Sequence, residues 1–176
     1  MKFLFKLIIF PLIFLYLLLF FLPKTQIYYF VLNQLAKEKV FVKNEKVDEK
    51  LFGMDLSNAV IEYNTIDMAK VKNTSLYTCF FDTKISINDI KIDESLKQFV
   101  PLEVDSVFIH YSVLNPLFIT LNGTGKDFDM DGKFDILNQS FILNLNASKK
   151  FQSIYPMVLK QFKKTKEGRY YIEYKF

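Results

Sequence analysis

From Val40 onward the chain is a succession of short runs in which apolar, β-branched and aromatic residues alternate with polar ones. That period of two constrains the fold more than any other feature. The runs cover 40–42, 51–56, 59–63, 76–81, 84–92, 104–113, 117–122, 128–137 and 141–147. Each is bounded by Gly, Asn, Asp, Lys or Pro, as strands joined by hairpins are. In the last run Phe141, Leu143 and Leu145 share one side, and in 128–137 Phe128, Met130, Phe134 and Ile136 do. The alternation of Ile85, Ile87, Ile90 and Ile92 breaks at Asn88-Asp89, which predicts a turn or a bulge. Gly123-Thr-Gly125 reads as a hairpin turn. Phe151, Ile154, Tyr155, Val158, Leu159 and Phe162 then take helical spacing. Pro156 must kink that helix or start it, with Ser153 near the cap. Gly168 can end the connection, and 170–175 alternates as a last strand. The expected class is α+β, mainly β, with an antiparallel sheet that has one apolar face.

A different pattern precedes the sheet. Residues 7–22 are all apolar, Tyr or Pro11, and Lys2 and Lys6 are the only charges before Lys24. Such a run is long enough for one transmembrane helix across ~30 Å of hydrocarbon. Residues 1–23 contain no Ala, Gly or Ser, so a signal-cleavage site is missing and the segment is expected to stay as an anchor. Lys2 and Lys6 place the N-terminus in the cytoplasm by the positive-inside rule and the remaining chain beyond the membrane. Three units follow: an anchor over 1–23, an amphipathic juxtamembrane helix over 24–39 and a β-rich extracytoplasmic domain over 40–176. Thr25 can cap that helix, whose stripe of Ile27, Tyr28, Val31, Leu32 and Leu35 either packs on the domain or leaves Tyr28, Tyr29 and Phe30 in the membrane interface.

The chemistry-bearing residues are few. One Cys and one His in 176 residues exclude a disulfide framework and leave His110 and Cys79 without partners of their own kind. A net charge of +4 gives no ground for a nucleic-acid partner. Asp127, Asp129 and Asp131 with Gly132 match the start of a calcium loop, yet position twelve is Asn138 where a bidentate Glu belongs. The same aspartates fit the polar side of a strand, which is the preferred reading. Lys160, Lys163, Lys164, Lys166 and Arg169 form a basic surface, suited to an acidic partner or simply to solvent. No Gly-x-Ser-x-Gly elbow or phosphate loop occurs, so neither catalysis nor a cofactor is expected.

The order of elements, with Tyr111-Ser-Val-Leu-Asn-Pro116-Leu-Phe-Ile-Thr-Leu-Asn-Gly123-Thr-Gly125, then Asp131-Gly-Lys-Phe-Asp-Ile-Leu and Phe141-Ile-Leu-Asn-Leu, resembles the type II secretion system N protein and the wider AsmA-like envelope proteins. The resemblance implies a curved antiparallel periplasmic sheet on a single-pass bacterial inner-membrane anchor. It implies an assembly subunit of a secretion or uptake apparatus that contacts other envelope proteins, or alternatively a lipid-handling β-groove. Phe128, Met130, Phe134, Phe141, Leu143 and Leu145 would line such a groove or else fill a closed core.

Overall fold

The computed structural model describes residues 9–14, 16–17, 23–79, 81–96, 103–165 and 168–176. Helix α1 (Lys24–Lys37) leads into β1 (Val40–Lys43), β2 (Lys46–Lys50), β3 (Gly53–Tyr63), β4 (Ile66–Cys79), β5 (Asp82–Ile92), β6 (Val104–Ser112), β7 (Phe118–Gly125), β8 (Phe128–Asp135) and β9 (Ser140–Ala147). Two short helices, α2 (Lys149–Ile154) and α3 (Pro156–Leu159), precede β10 (Lys163–Lys164) and β11 (Tyr170–Lys175). All eleven strands form one antiparallel sheet in the order β1-β3-β4-β5-β6-β7-β8-β9-β11-β10, with β2 beside β1 on the same edge of β3. Consecutive strands pair because the links are tight. The Asn64-Thr65 turn has both φ values positive, the two-residue hairpin geometry that matches strand twist.

Two corrections concern the N-terminal segment. Among the described residues no helix is long and apolar enough to cross a membrane. Residues 9–14 and 16–17 are helical, whereas 1–8, 15 and 18–22 of the expected span lie outside the described residues. The fold class with a transmembrane anchor, and the single-pass inner-membrane placement with cytoplasmic N-terminus and periplasmic domain that depended on it, are therefore not supported. Long apolar runs flag a span by composition, and the helices of the described residues do not supply one.

Pairing arranges the side chains into rows that cross the sheet, since residues paired across antiparallel strands share a face. One row reads Met54, Leu76, Ile85, Ile109, Leu121, Gly132, Leu143 and Ile172, from β3 to β11. The next reads Leu56, Thr74, Ile87, Val107, Gly123, Met130, Leu145 and Tyr170. The opposite side carries Asp55, Ser75, Ser86, Asn122, Asp131 and Asn144 in a corresponding row, broken by Phe108.

A crease crosses the first half of this sheet. Asn44 (φ 60°), Asn58 (φ 58°) and Asp89 (φ 57°) adopt left-handed backbone, and the β6–β7 register shifts around Asp105. Each of these strands uses one extra residue at the crease, so its apolar positions change from one parity to the other. Pairing beyond the crease joins Ala59, Val71, Ile90, Val104, Gly125 and Phe128. Val104 packs against the cluster that contains Phe128 and Leu145, so the apolar face continues across the crease on one side. Of the expected turn or bulge at Asn88-Asp89, the strand shows the second, an unbroken β5 with one extra, left-handed residue at Asp89.

Gly123 and Gly125 lie inside β7 rather than in a turn, which corrects the hairpin reading. A Cβ on Gly123 would stand 2.2 Å from Met130 Cε, and one on Gly125 2.3 Å from the Phe128 ring. These glycines make room for large side chains of β8 that lie across them. At the far end Ser148 caps α2 by accepting the Phe151 N–H at 3.1 Å, and Pro156 opens α3. Ser153 is inside α2 and is not the cap. Gly123→Ala is expected to lower stability by about 1–3 kcal/mol through overpacking against Met130. Urea unfolding checks this, and an unchanged midpoint would contradict the packing described.

Candidate functional site

Among the described residues the apolar face is closed only at its two ends. The buried apolar residues among those described are Met54, Ala59 and Val71 in β3 and β4, and Phe128, Leu145, Phe151, Leu159 and Tyr170 around α2 and α3. The second group forms one cluster, with the Phe151 ring 5.1 Å from Phe128 and 4.8 Å from Tyr155. Helix α1 packs on β1, β2 and β3, and α2 on β9. Between these ends β5, β6 and β7 contribute no buried apolar side chain. Leu76, Ile85, Ile109, Leu121, Leu143 and Ile172 are all half-buried, as expected of one sheet layer with no second layer over it among the described residues.

The groove-or-core residues divide along this boundary. Phe128 and Leu145 belong to the closed cluster and Met130 packs against it. Phe134 and Phe141 are cross-strand partners on the open part, with the Phe134 ring 5.9 Å from Phe176, and Leu143 pairs with Gly132 there. Ile85, named by its alternation with Ile87, and Leu76, Ile109, Leu121 and Ile172, which alternation alone does not single out, complete the open face. Their common signal was the row, which needs the register and the one-residue shift at the crease.

The two margins of the face differ in charge. At the β2 margin Glu49 pairs with Met54 across the strands, meets Lys24 Nζ at 3.6 Å and accepts the Thr25 hydroxyl at 2.5 Å. That hydroxyl, with Lys24 beside it, holds the Glu49 carboxyl below its ordinary range. At the opposite margin Lys164 pairs with Tyr170 and places Nζ 5.2 Å from the centre of that ring. Lys163 lies over Tyr171 at 5.9 Å, on the other face. Lys160 and Arg169 are exposed nearby, and Lys166 lies outside the described residues.

The remaining candidates are dispersed. Asp129 and Asp131 stand on the polar face, where Asn144 Nδ2 donates to Asp131 at 2.8 Å, and Asp127 in the β7–β8 loop faces Lys150 at 3.3 Å. Among the described residues no three His, Cys, Asp or Glu side chains are grouped to hold a metal ion. His110 Nε2 lies 2.5 Å from Asp82, which also meets Lys84 at 2.6 Å, and Cys79 is half-exposed opposite Asp82. No family model, curated protein or solved structure matches the chain.

Lys84 first, and then His110, lower the Asp82 pKa by bonding its carboxylate. A lowered value means a stabilising contribution that is present above the ordinary carboxylate range and is lost as pH falls through the folded-state value. Asp82→Asn should therefore lose less of its urea midpoint than the unaltered chain between pH 5 and about pH 2. Equal losses would contradict the carboxylate's role.

Proposed function

We propose that this chain binds the apolar tail of a lipid or similar amphiphile along the open face between α1 and the α2–α3 corner. The observation that carries the reading is the unburied centre. Rows of Ile, Leu and Val cross β5, β6 and β7 without a covering layer among the described residues. Isolated exposed apolar residues are ordinary on a protein surface, but a contiguous patch of this extent marks an interaction surface. The open row from Leu76 to Ile172 crosses seven strands, which at a spacing of ~4.8 Å gives it a length of about 29 Å, enough for an extended chain. Finishing the burial of six half-exposed aliphatic side chains is worth on the order of 5 kcal/mol before ordering costs. The resemblance to AsmA-like envelope proteins implies the same ligand class.

A second reading, docking of a partner by strand addition, has one observation in its favour. β10 pairs only with Tyr170 and Tyr171, and among the described residues no strand lies outside the rest of β11. Such an edge is a template for another strand. It concerns a different surface, and the face itself supports the lipid reading better.

Nile red, whose fluorescence rises in apolar surroundings, separates these readings. The chain should bind the dye, and Ile109→Asp on the open face should weaken binding at least about tenfold, or 1.4 kcal/mol. Leu145→Ala in the closed cluster should instead cost about 2–5 kcal/mol of stability. Absence of dye binding, or binding indifferent to Ile109→Asp, would contradict the proposal.

A further inference from the structure

We infer that the ligand of the open face is an anionic amphiphile whose head group sits at the β10–β11 margin. The inference rests on the lipid-binding reading above and adds a direction and a charge to it.

The open row through Ile85, Ile109, Leu121, Leu143 and Ile172 reaches β11 two residues from Tyr170 on the same face, and Lys164 shares that face because it is paired with Tyr170. Its ammonium group stands over the Tyr170 ring, so a cation lies beside the β11 end of the open row. Exposed Lys160 and Arg169 flank the same corner. Among the described residues none of these three has a carboxylate partner within ion-pair distance, whereas Lys150 next to the corner is already taken by Asp127. The opposite margin is unsuited to an anion. There Glu49 stands at the row's end and engages both Lys24 and Thr25. The polar face is unsuited too, since β8 sets Asp129 and Asp131 on it. Charge complementarity thus favours one orientation, with the tail along the open row from β5 to Ile172 on β11 and the head at Lys164.

An edge-strand lysine also deters unwanted strand pairing, and that role needs no ligand. It would make no distinction between head groups of different charge, so a matched pair of probes decides. Hexadecyl phosphate and hexadecylphosphocholine share one tail and differ in net charge. Each would be titrated below its micelle concentration into the 176-residue chain loaded with Nile red. The anionic probe should displace the dye at a concentration at least about tenfold lower than the zwitterionic one. That preference should shrink in 0.5 M salt, where the Debye length falls to roughly 4 Å. In the Lys160→Glu/Lys164→Glu/Arg169→Glu variant the preference should vanish while Nile red still binds. Inorganic phosphate alone should displace nothing. Equal displacement by both probes with dye binding intact would overturn the head-group inference and leave the apolar reading standing. A preference unchanged in the variant, or displacement by inorganic phosphate, would overturn it as well. Failure of the dye itself to bind would overturn both.

Discussion

Cross-strand register is the constraint on which the rest of this molecule depends. A strand carries side chains with period two, so a slip of one residue anywhere would send its apolar set to the polar side. In β3 to β6 the chain does insert a residue, at Asn58, Lys72, Asp89 and Asp105, and β1 and β2 are separated opposite the same place. The insertions fall side by side, so pairing between neighbouring strands is preserved and the apolar rows stay continuous. Left-handed backbone at Asn44, Asn58 and Asp89 makes this possible, and Asn and Asp are the residues other than Gly that tolerate it best.

The register places a wide apolar face on a sheet that the helices of the described residues cover only in part. Ser148 and Pro156 fold the chain back over Phe128 and Leu145 at one end, and α1 packs on β1, β2 and β3 at the other. The strands between gain their stability from backbone pairing and lateral contact, while their apolar side chains remain available. Glycine adds to this economy of thickness. Gly123, Gly125 and Gly132 remove side chains where Met130, Phe128 and Phe141 lie flat across the neighbouring strand.

Much of the sheet was legible from alternation, because a half-exposed strand writes its two faces into adjacent residues. What alternation hid has physical causes. In β4 the polar stretch around Lys70, Lys72 and Asn73 conceals one long strand, since the parity change at Lys72 cancels the pattern a window would see. Gly123 and Gly125 have the composition of a turn but serve a close approach between strands. The apolar N-terminal residues suggested a membrane span by composition alone, and no helix among the described residues has the length for one. For the site, Phe134, Phe141 and Leu143 were visible as one side of two strands. Leu76, Ile109 and Leu121 join them only through the register, which is a property of the sheet and not of any single segment.

Tail binding and head-group selection both follow from one claim, that the face across β5, β6 and β7 is open in the free chain and covered in the loaded one. Hydroxyl-radical footprinting with and without a saturating long-chain amphiphile tests it directly. The account predicts that Ile85, Ile109 and Leu121 are oxidised readily in the free chain and are protected on loading, while Phe151 reacts little in either state. Low reactivity of Ile85, Ile109 and Leu121 in the free chain, or protection confined to the polar face at Asn122 and Asn144, would contradict it.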